Sequence, residues 1–81
     1  MKVTNLQTAN GKPAPNQFEI IAEGKRFFQS YETLVAYEDL STGEYYRDKN
    51  AFDYSNTTTR YLNIFSNRQI TKNTPIKTIE L

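Results

Sequence analysis

The chain contains no cysteine and no histidine. Without cysteine there is no disulfide framework and no thiolate chemistry. Without histidine the usual general base and the commonest metal ligand are both missing. Long apolar runs are missing too. The N-terminal stretch MKVTNLQTANGK lacks the apolar core of about 7–15 residues that marks a signal peptide. No window approaches the roughly 20 apolar residues of a membrane span. The expectation is a protein made and kept inside a cell, with no membrane partner. Charge of one sign is also lacking: the net charge is +1, too near zero to imply nucleic acid by itself.

What is there is aromatic. The 81 residues are 37% hydrophobic, which is low, and 14% aromatic, which is high. A few large rings, rather than many aliphatic side chains, must supply the burial. The length fits one domain, residues 1–81, near the lower limit for a self-sufficient core.

The stretch Asn16–Tyr31, NQFEIIAEGKRFFQSY, reads as a β-hairpin turning at Glu23-Gly24. Phe and Ile suit a pleated, half-buried surface. Gly24 supplies the positive φ of a tight turn. A two-residue loop sets Ala22 opposite Lys25, Ile20 opposite Phe27 and Phe18 opposite Gln29. Phe18, Ile20 and Phe27 then share one face, and Ile21 and Phe28 take the other. With apolar groups on both faces, the pair is central or has something lying over its second face.

Around the hairpin, Met1–Thr8 is a candidate first strand with Val3 and Leu6 as its apolar residues. Residues 9–16, ANGKPAPN, read as a flexible loop: Asn10-Gly11 is turn chemistry, and Pro13 and Pro15 forbid ladder donation. Tyr31–Leu40 reads as a strand with Leu34 and Ala36 on one face and Val35 and Tyr37 on the other. After the turn 38–43, Glu44–Asp48 returns with Tyr45 and Tyr46 on opposite faces. Residues 17–48 thus form a four-strand antiparallel meander. Residues 48–50 are polar and read as a turn, and Ala51–Tyr54 is a short apolar patch, a candidate strand. In Ser55–Phe65 the positions Ser55, Thr57 and Thr58 are good N-caps. Tyr61, Ile64 and Phe65, at i, i+3, i+4, suit a helix over about 57–65, though Thr57–Thr59 and Tyr61 also have strand propensity. Residues 66–81 offer a C-terminal edge strand from Ile76, with Ile76 and Ile79 to dock it. The fold class is α+β, mainly β: a meander of four to five strands and one short helix. The expected core is Phe18, Ile20, Phe27, Leu34, Ala36, Tyr61, Ile64 and Phe65, with Phe52 and Tyr54 added.

Several of these residues carry a resemblance. Asn16-Gln17-Phe18-x-Ile20, then Phe28-Gln29-Ser30-Tyr31 with Val35-Ala36, then Asp53-Tyr54-Ser55-x-Thr57-Thr58-x-Arg60-Tyr61 with Phe65 are similar to an uncharacterised family of small proteins from bacteriophages and bacterial mobile elements. The similarity spans about residues 8–66. It implies an origin, and hence the cytoplasm of a bacterial host, but no mechanism.

Four constellations bear on function. Asp53-x-Ser55-x-Thr57 has the spacing of a metal-ion adhesion site, with hard oxygen ligands. That site belongs to a larger doubly wound domain, so a Ser/Thr turn leading into a helix N-cap is the preferred reading. Asp39, Glu44, Asp48 and Asp53 include no evident acid/base pair, because so small a chain does not enclose a deep subsite. They read as surface charge, and no enzyme, cofactor or metal is expected. Lys25, Arg26 and Phe28, near exposed tyrosines, resemble the basic–aromatic surface of single-strand nucleic-acid binders. Against that, Phe27 or Phe28 belongs in the core and Lys25 and Arg26 solubilise the hairpin tip. Lastly, Glu32–Asp53 holds six acids against Arg47 and Lys49, whereas Arg60–Lys77 holds four bases and no acid. This can make an acidic and a basic pole, or two solvated loops.

The function expected first is a non-enzymatic binding protein of phage or mobile-element type, acting on a host or viral protein as monomer or homodimer. Tyrosines suit interfaces, and Tyr31, Tyr37, Tyr45, Tyr46 and Arg47 are the expected contact residues. The alternative is a single-stranded nucleic-acid binder using Lys25, Arg26 and Phe28.

Overall fold

The computed structural model describes residues 1–81. Five strands run in order as an open antiparallel meander: β1 (Lys2–Gln7), β2 (Pro13–Ala22), β3 (Lys25–Ser30), β4 (Thr33–Asp39) and β5 (Tyr45–Arg47). One helix, α1 (Asn56–Ser66), follows. The fold is mainly β, as the sequence implies.

The β2–β3 hairpin has the expected register: Ala22 faces Lys25, Ile20 faces Phe27 and Phe18 faces Gln29. Glu23 and Gly24 both have positive φ, +55° and +73°. Two such residues make a turn whose twist matches the strands it joins. Both reasons for apolar residues on two faces apply. The hairpin is central, and both faces are covered. On one face, Phe28, Val35 and Ala36 meet Tyr61, Leu62 and Phe65 of α1, together with Leu6, Ala14, Ala51 and Ile70. On the other, Ile20, Phe27 and Tyr37 form a smaller cluster, with Phe18, Leu34, Tyr46 and Ile79 against it.

Several local expectations need correction. The 9–16 loop is shorter than its prolines suggest, because β2 already begins at Pro13. Both prolines lie beyond the Gln17–Ser30 end of the β3 pairing, so no ladder bond to β3 is asked of them. Here Leu6 alone stands opposite residues 14–17, between the pairs Asn5–Phe18 and Gln7–Pro13. Asn16, at φ +62°, carries the kink. Asn5 Nδ2 donates to the Ala14 carbonyl at 2.8 Å and closes the bulge. Gln17 is enclosed beside it, with neither amide atom hydrogen-bonded. In β4, a bulge between the pairs Phe28–Ala36 and Gln29–Leu34 breaks the alternation. Val35 therefore joins Ala36 on the helix side, and Leu34 joins Tyr37 on the other.

The helix is present, N-capped by Ser55, whose Oγ accepts from the Thr58 amide at 3.0 Å. Its buried stripe is Thr58, Tyr61, Leu62, Phe65 and Ser66. Ile64, assigned to the core from sequence, is 46% exposed. At about 100° per residue it lies roughly 120° around from the stripe's centre, and Leu62 takes its place. Tyr54 is also outside the core, because 51–54 is a turn and not a strand.

The C-terminal segment forms no edge strand. Ile76 makes a single parallel bridge to Arg47. Arg47 N donates to Pro75 O at 3.1 Å, and Lys77 N to Arg47 O at 3.0 Å. Beyond that point residues 78–81 make no backbone hydrogen bond. Ile79 packs on the smaller cluster, and Leu81 lines a hollow together with Met1, Val3, Phe18 and Ile20. Ile76, expected to dock, is itself exposed. The segment thus shields the β5 edge and lies over the sheet face opposite α1, leaving β1 as the open edge.

Candidate functional site

The five expected contact residues do not form one surface. β4 and β5 put Tyr37 and Tyr46 on the face opposite α1, with ring centroids 5.1 Å apart; Tyr37 also meets Phe27 at 5.6 Å and is buried. Tyr46 donates its hydroxyl to Glu44 at 2.8 Å, and the Lys77 ammonium sits 4.3 Å above its ring. The Glu44 hydrogen bond is the main reason its phenol pKa lies above the ordinary value. Tyr45 and Arg47 point to the α1 side. Tyr45 accepts from Arg26 and meets Phe65 edge-on at 6.4 Å. Arg47 is buried and donates to the carbonyls of Asp48, Lys49 and Lys72. With its own backbone bonded to Pro75 and Lys77, it clamps the C-terminal segment. Only Tyr31, 55% exposed at the β3–β4 turn, is open to a partner over most of its surface.

The nucleic-acid set fares no better. Phe28 has no exposed surface and stacks on Phe65 at 5.6 Å, so it offers no face to a base. Arg26 does not sit free at the hairpin tip. Its Nε donates to Glu38 at 2.9 Å and its Nη1 to Glu19 at 3.0 Å, while Nη2 donates to Tyr45 Oη at 3.2 Å and to the Phe65 carbonyl at 2.9 Å. Its guanidinium also lies 4.1 Å from the Phe65 ring centroid. Burial works against the charged form, but hydrogen bonds to Glu38 and then Glu19 outweigh it, and the Arg26 pKa is raised. Lys25 packs over Tyr37 at 5.0 Å.

The acidic residues are occupied locally. Asp39 accepts from the Ser41 hydroxyl and amide, which hold its carboxyl below the usual range. Asp48 accepts from the Asn50 amide and from the Tyr54 hydroxyl. Asp53 lies exposed in the turn before α1, and Ser55, one of the candidate metal ligands, spends its hydroxyl as the N-cap. Beside that cap lies a hollow of about 240 Å³ lined by Ser30, Tyr31, Thr33, Val35, Tyr54, Ser55 and Thr58. Ser30 and Thr58 already bond each other across it at 2.9 Å.

Tyr54 titrates late. Burial, and then the hydrogen bond to Asp48, push its phenol up from 10.0 to about 12. Because the folded value is the higher one, the stabilisation is complete below about pH 10 and lost as pH rises through about 12. The residue is 42% exposed, so the effect is modest. Urea midpoints measured across that window should fall more steeply for the native chain than for Tyr54→Phe; matching slopes would disprove the coupling.

A further surface escaped the sequence reading. Met1, Val3, Phe18, Ile20, Gln29 and Leu81 line a shallow open hollow of about 370 Å³, apolar except for Gln29. It adjoins the outer edge of β1, whose backbone has a neighbour only on the β2 side. The alternation of Met1 and Val3 was the available signal; the arrival of Leu81 across the sheet left none.

No helix is long and apolar enough to cross a membrane. Neither the curated proteins nor the solved structures give a match. A family model described as a family of unknown function, DUF8033, matches residues 1–80. The resemblance over residues 8–66 likewise implies an uncharacterised family, and the match spans nearly the whole chain.

Proposed function

The chain belongs to DUF8033, a family of unknown function, and with no activity carried by that membership we propose that it is a small non-enzymatic binding protein acting through protein–protein contact. The observation that carries this reading is the open β1 edge beside the apolar hollow at Met1, Val3 and Leu81. An unpaired strand edge is a template for a further strand. Natural edges are blunted by proline, bulges or several charges. The outer edge of β1 from Lys2 to Asn5 has Lys2 alone, the bulge opposite Leu6 lying further along, while the opposite edge of the sheet is covered by Ile76. A partner segment adding as a sixth strand hydrogen-bonds to β1 and sets an apolar side chain over Val3. The resemblance favours a phage or mobile-element protein working in the bacterial cytoplasm on a host or viral partner.

The test is selection of 12-residue peptides from a displayed library against the full chain, followed by amide NMR with the peptides selected. Peptides that shift Val3, Thr4 and Phe18 amides, and that bind at least tenfold more weakly to Val3→Asp, support the edge. Shifts confined to Tyr31 and Tyr46 would return the contact to the tyrosines. Mass that rises with concentration and falls on Val3→Asp identifies a second copy as the added strand. The single-strand nucleic-acid reading has less support, because Arg26 and Phe28 are already committed within the fold.

A further inference from the structure

The chain has six tyrosines and five phenylalanines, and of these rings only Tyr31 and Tyr54 are exposed. One lies in the β3–β4 turn and the other in the turn before α1. Both nevertheless line the same hollow of about 240 Å³, together with Ser30, Thr33, Val35, Ser55 and Thr58.

Tyr31 is held there under strain. Its φ is +55°, in the left-handed region that a bulky side chain seldom takes. Ser30 pairs with Thr33, so Tyr31 and Glu32 make a two-residue turn, where glycine or asparagine would be free of that strain. The fold uses little of the side chain in return. Tyr31 is 55% exposed, and hydrogen bonds reach its backbone but not its hydroxyl. Strain kept at an exposed side chain points to a use outside the fold. Tyr54 is the steadier of the two rings, because its hydroxyl donates to Asp48.

Between the rings the lining is neutral and rich in hydroxyls. Ser55 Oγ donates to Thr58 Oγ1 at 3.0 Å, so the Thr58 proton goes to Ser30 Oγ, 2.9 Å away. The proton of Ser30 is then left without an acceptor. Gln17 stands opposite Ser30 in the β2–β3 ladder, but its amide accepts nothing. The Thr33 hydroxyl makes no hydrogen bond either. No charged side chain lines the hollow, and Val35 is its one aliphatic member.

We propose that this hollow binds carbohydrate and takes one pyranose ring of a neutral sugar. A pyranose has an apolar C–H face to lay on a tyrosine ring and a rim of hydroxyls, each both donor and acceptor. Ser30, Tyr31 and Thr33 hold the free hydroxyl groups that such a rim pairs with. The volume lies below the roughly 300–1,000 Å³ of pockets for drug-sized ligands, which suits a single ring. An anionic ligand finds no base in the lining, and Asp48 and Asp53 lie beside Tyr54. A proline-rich peptide needs an aromatic groove several residues long. The hollow shares no lining residue with the one at the β1 edge, so either assignment can fail without the other.

The experiment is amide NMR of the full chain titrated with methyl β-glucoside, methyl β-galactoside, methyl α-mannoside and N-acetylglucosamine. Titration to about 50 mM suffices, because so small a ligand should have a dissociation constant on the order of 1–10 mM. At least one sugar should shift the amides of Tyr31, Thr33, Ser55 and Thr58 together. Tyr31→Gly should bind it at least fivefold more weakly while the urea midpoint moves little, since relief of strain offsets the added freedom of the unfolded chain. Thr33→Val keeps the side-chain shape and should bind about three- to tenfold more weakly, as for one lost hydrogen bond. Maltotriose and chitotriose separate the two sources of a pyranose. Tighter binding of a trisaccharide supports a polysaccharide chain, and equal binding supports a free sugar. No shift with any sugar, shifts outside the hollow, unchanged affinity in Tyr31→Gly, or tighter binding of a decaproline peptide or of uridine would each overturn the assignment.

Discussion

Phe28→Ala will cost about 3–5 kcal/mol, the range for deleting a fully buried ring. A chain of 81 residues has a total stability of roughly 4–12 kcal/mol at the usual per-residue value, so the variant will lose about a quarter or more of it and, at the lower end of that range, will be largely unfolded at 25 °C. Phe28 has no exposed surface, stacks on Phe65 and lies against Val35, Ala36 and Leu62 in the larger cluster. Few other large side chains are available to fill the space it vacates. Urea unfolding followed by far-ultraviolet circular dichroism will show the midpoint collapse. Phe28→Leu, which keeps most of the volume, should remain folded with a smaller loss. If Phe28→Ala instead unfolds within about 1 kcal/mol of the native chain, the packing of α1 on β3 is not what holds the domain together.

Phe28 also shows where sequence reading reaches and where it stops. Turn chemistry at Glu23-Gly24 and the two-residue alternation of the flanking strands are local signals, and they were enough to place the hairpin register residue by residue. The helix was legible from its Ser55 cap and from aromatic spacing. The face it buries was not. Tyr61 and Phe65 are compatible with either Leu62 or Ile64 as the third member of the stripe, and only the sheet beneath decides. The β4 bulge at Val35 was equally silent, since Leu34, Val35, Ala36 and Tyr37 are all acceptable on a strand that has apolar groups on both faces. The candidate site suffered most. Exposure of a tyrosine or arginine is set by elements distant in sequence: Phe65 and Tyr45 enclose Arg26, and Lys72 and Pro75 enclose Arg47. The open β1 edge is likewise a property of what does not pack against it, and no local pattern records that.

Arg26→Ala should be the most destabilising substitution of a charged residue, at about 2–3 kcal/mol. Removing one partner from a buried charge cluster costs about 3–5 kcal/mol. Here the side chains of Arg26, Glu19 and Glu38 are 18%, 27% and 22% exposed, and solvent screening reduces the loss. Three separate penalties arise. Glu19 and Glu38 come from β2 and β4, on either side of β3, and without the guanidinium they flank the central strand as two unneutralised carboxylates. The Phe65 carbonyl near the end of α1 loses its donor. The ring of Phe65 loses the cation stacked on it. The origin of the loss can be separated by replacing the acids as well. Arg26→Met with Glu19→Gln and Glu38→Gln removes the charges together and should recover most of the stability, because an apolar side chain of similar length keeps the packing over Phe65. A cycle between Arg26→Ala and Glu38→Gln should give a coupling of about 1 kcal/mol or more. A loss under about 0.5 kcal/mol for Arg26→Ala would mean that the cluster behaves like an exposed ion pair. In that case the guanidinium is free to leave its acids for a phosphate, and the single-strand reading of the hairpin regains its central residue.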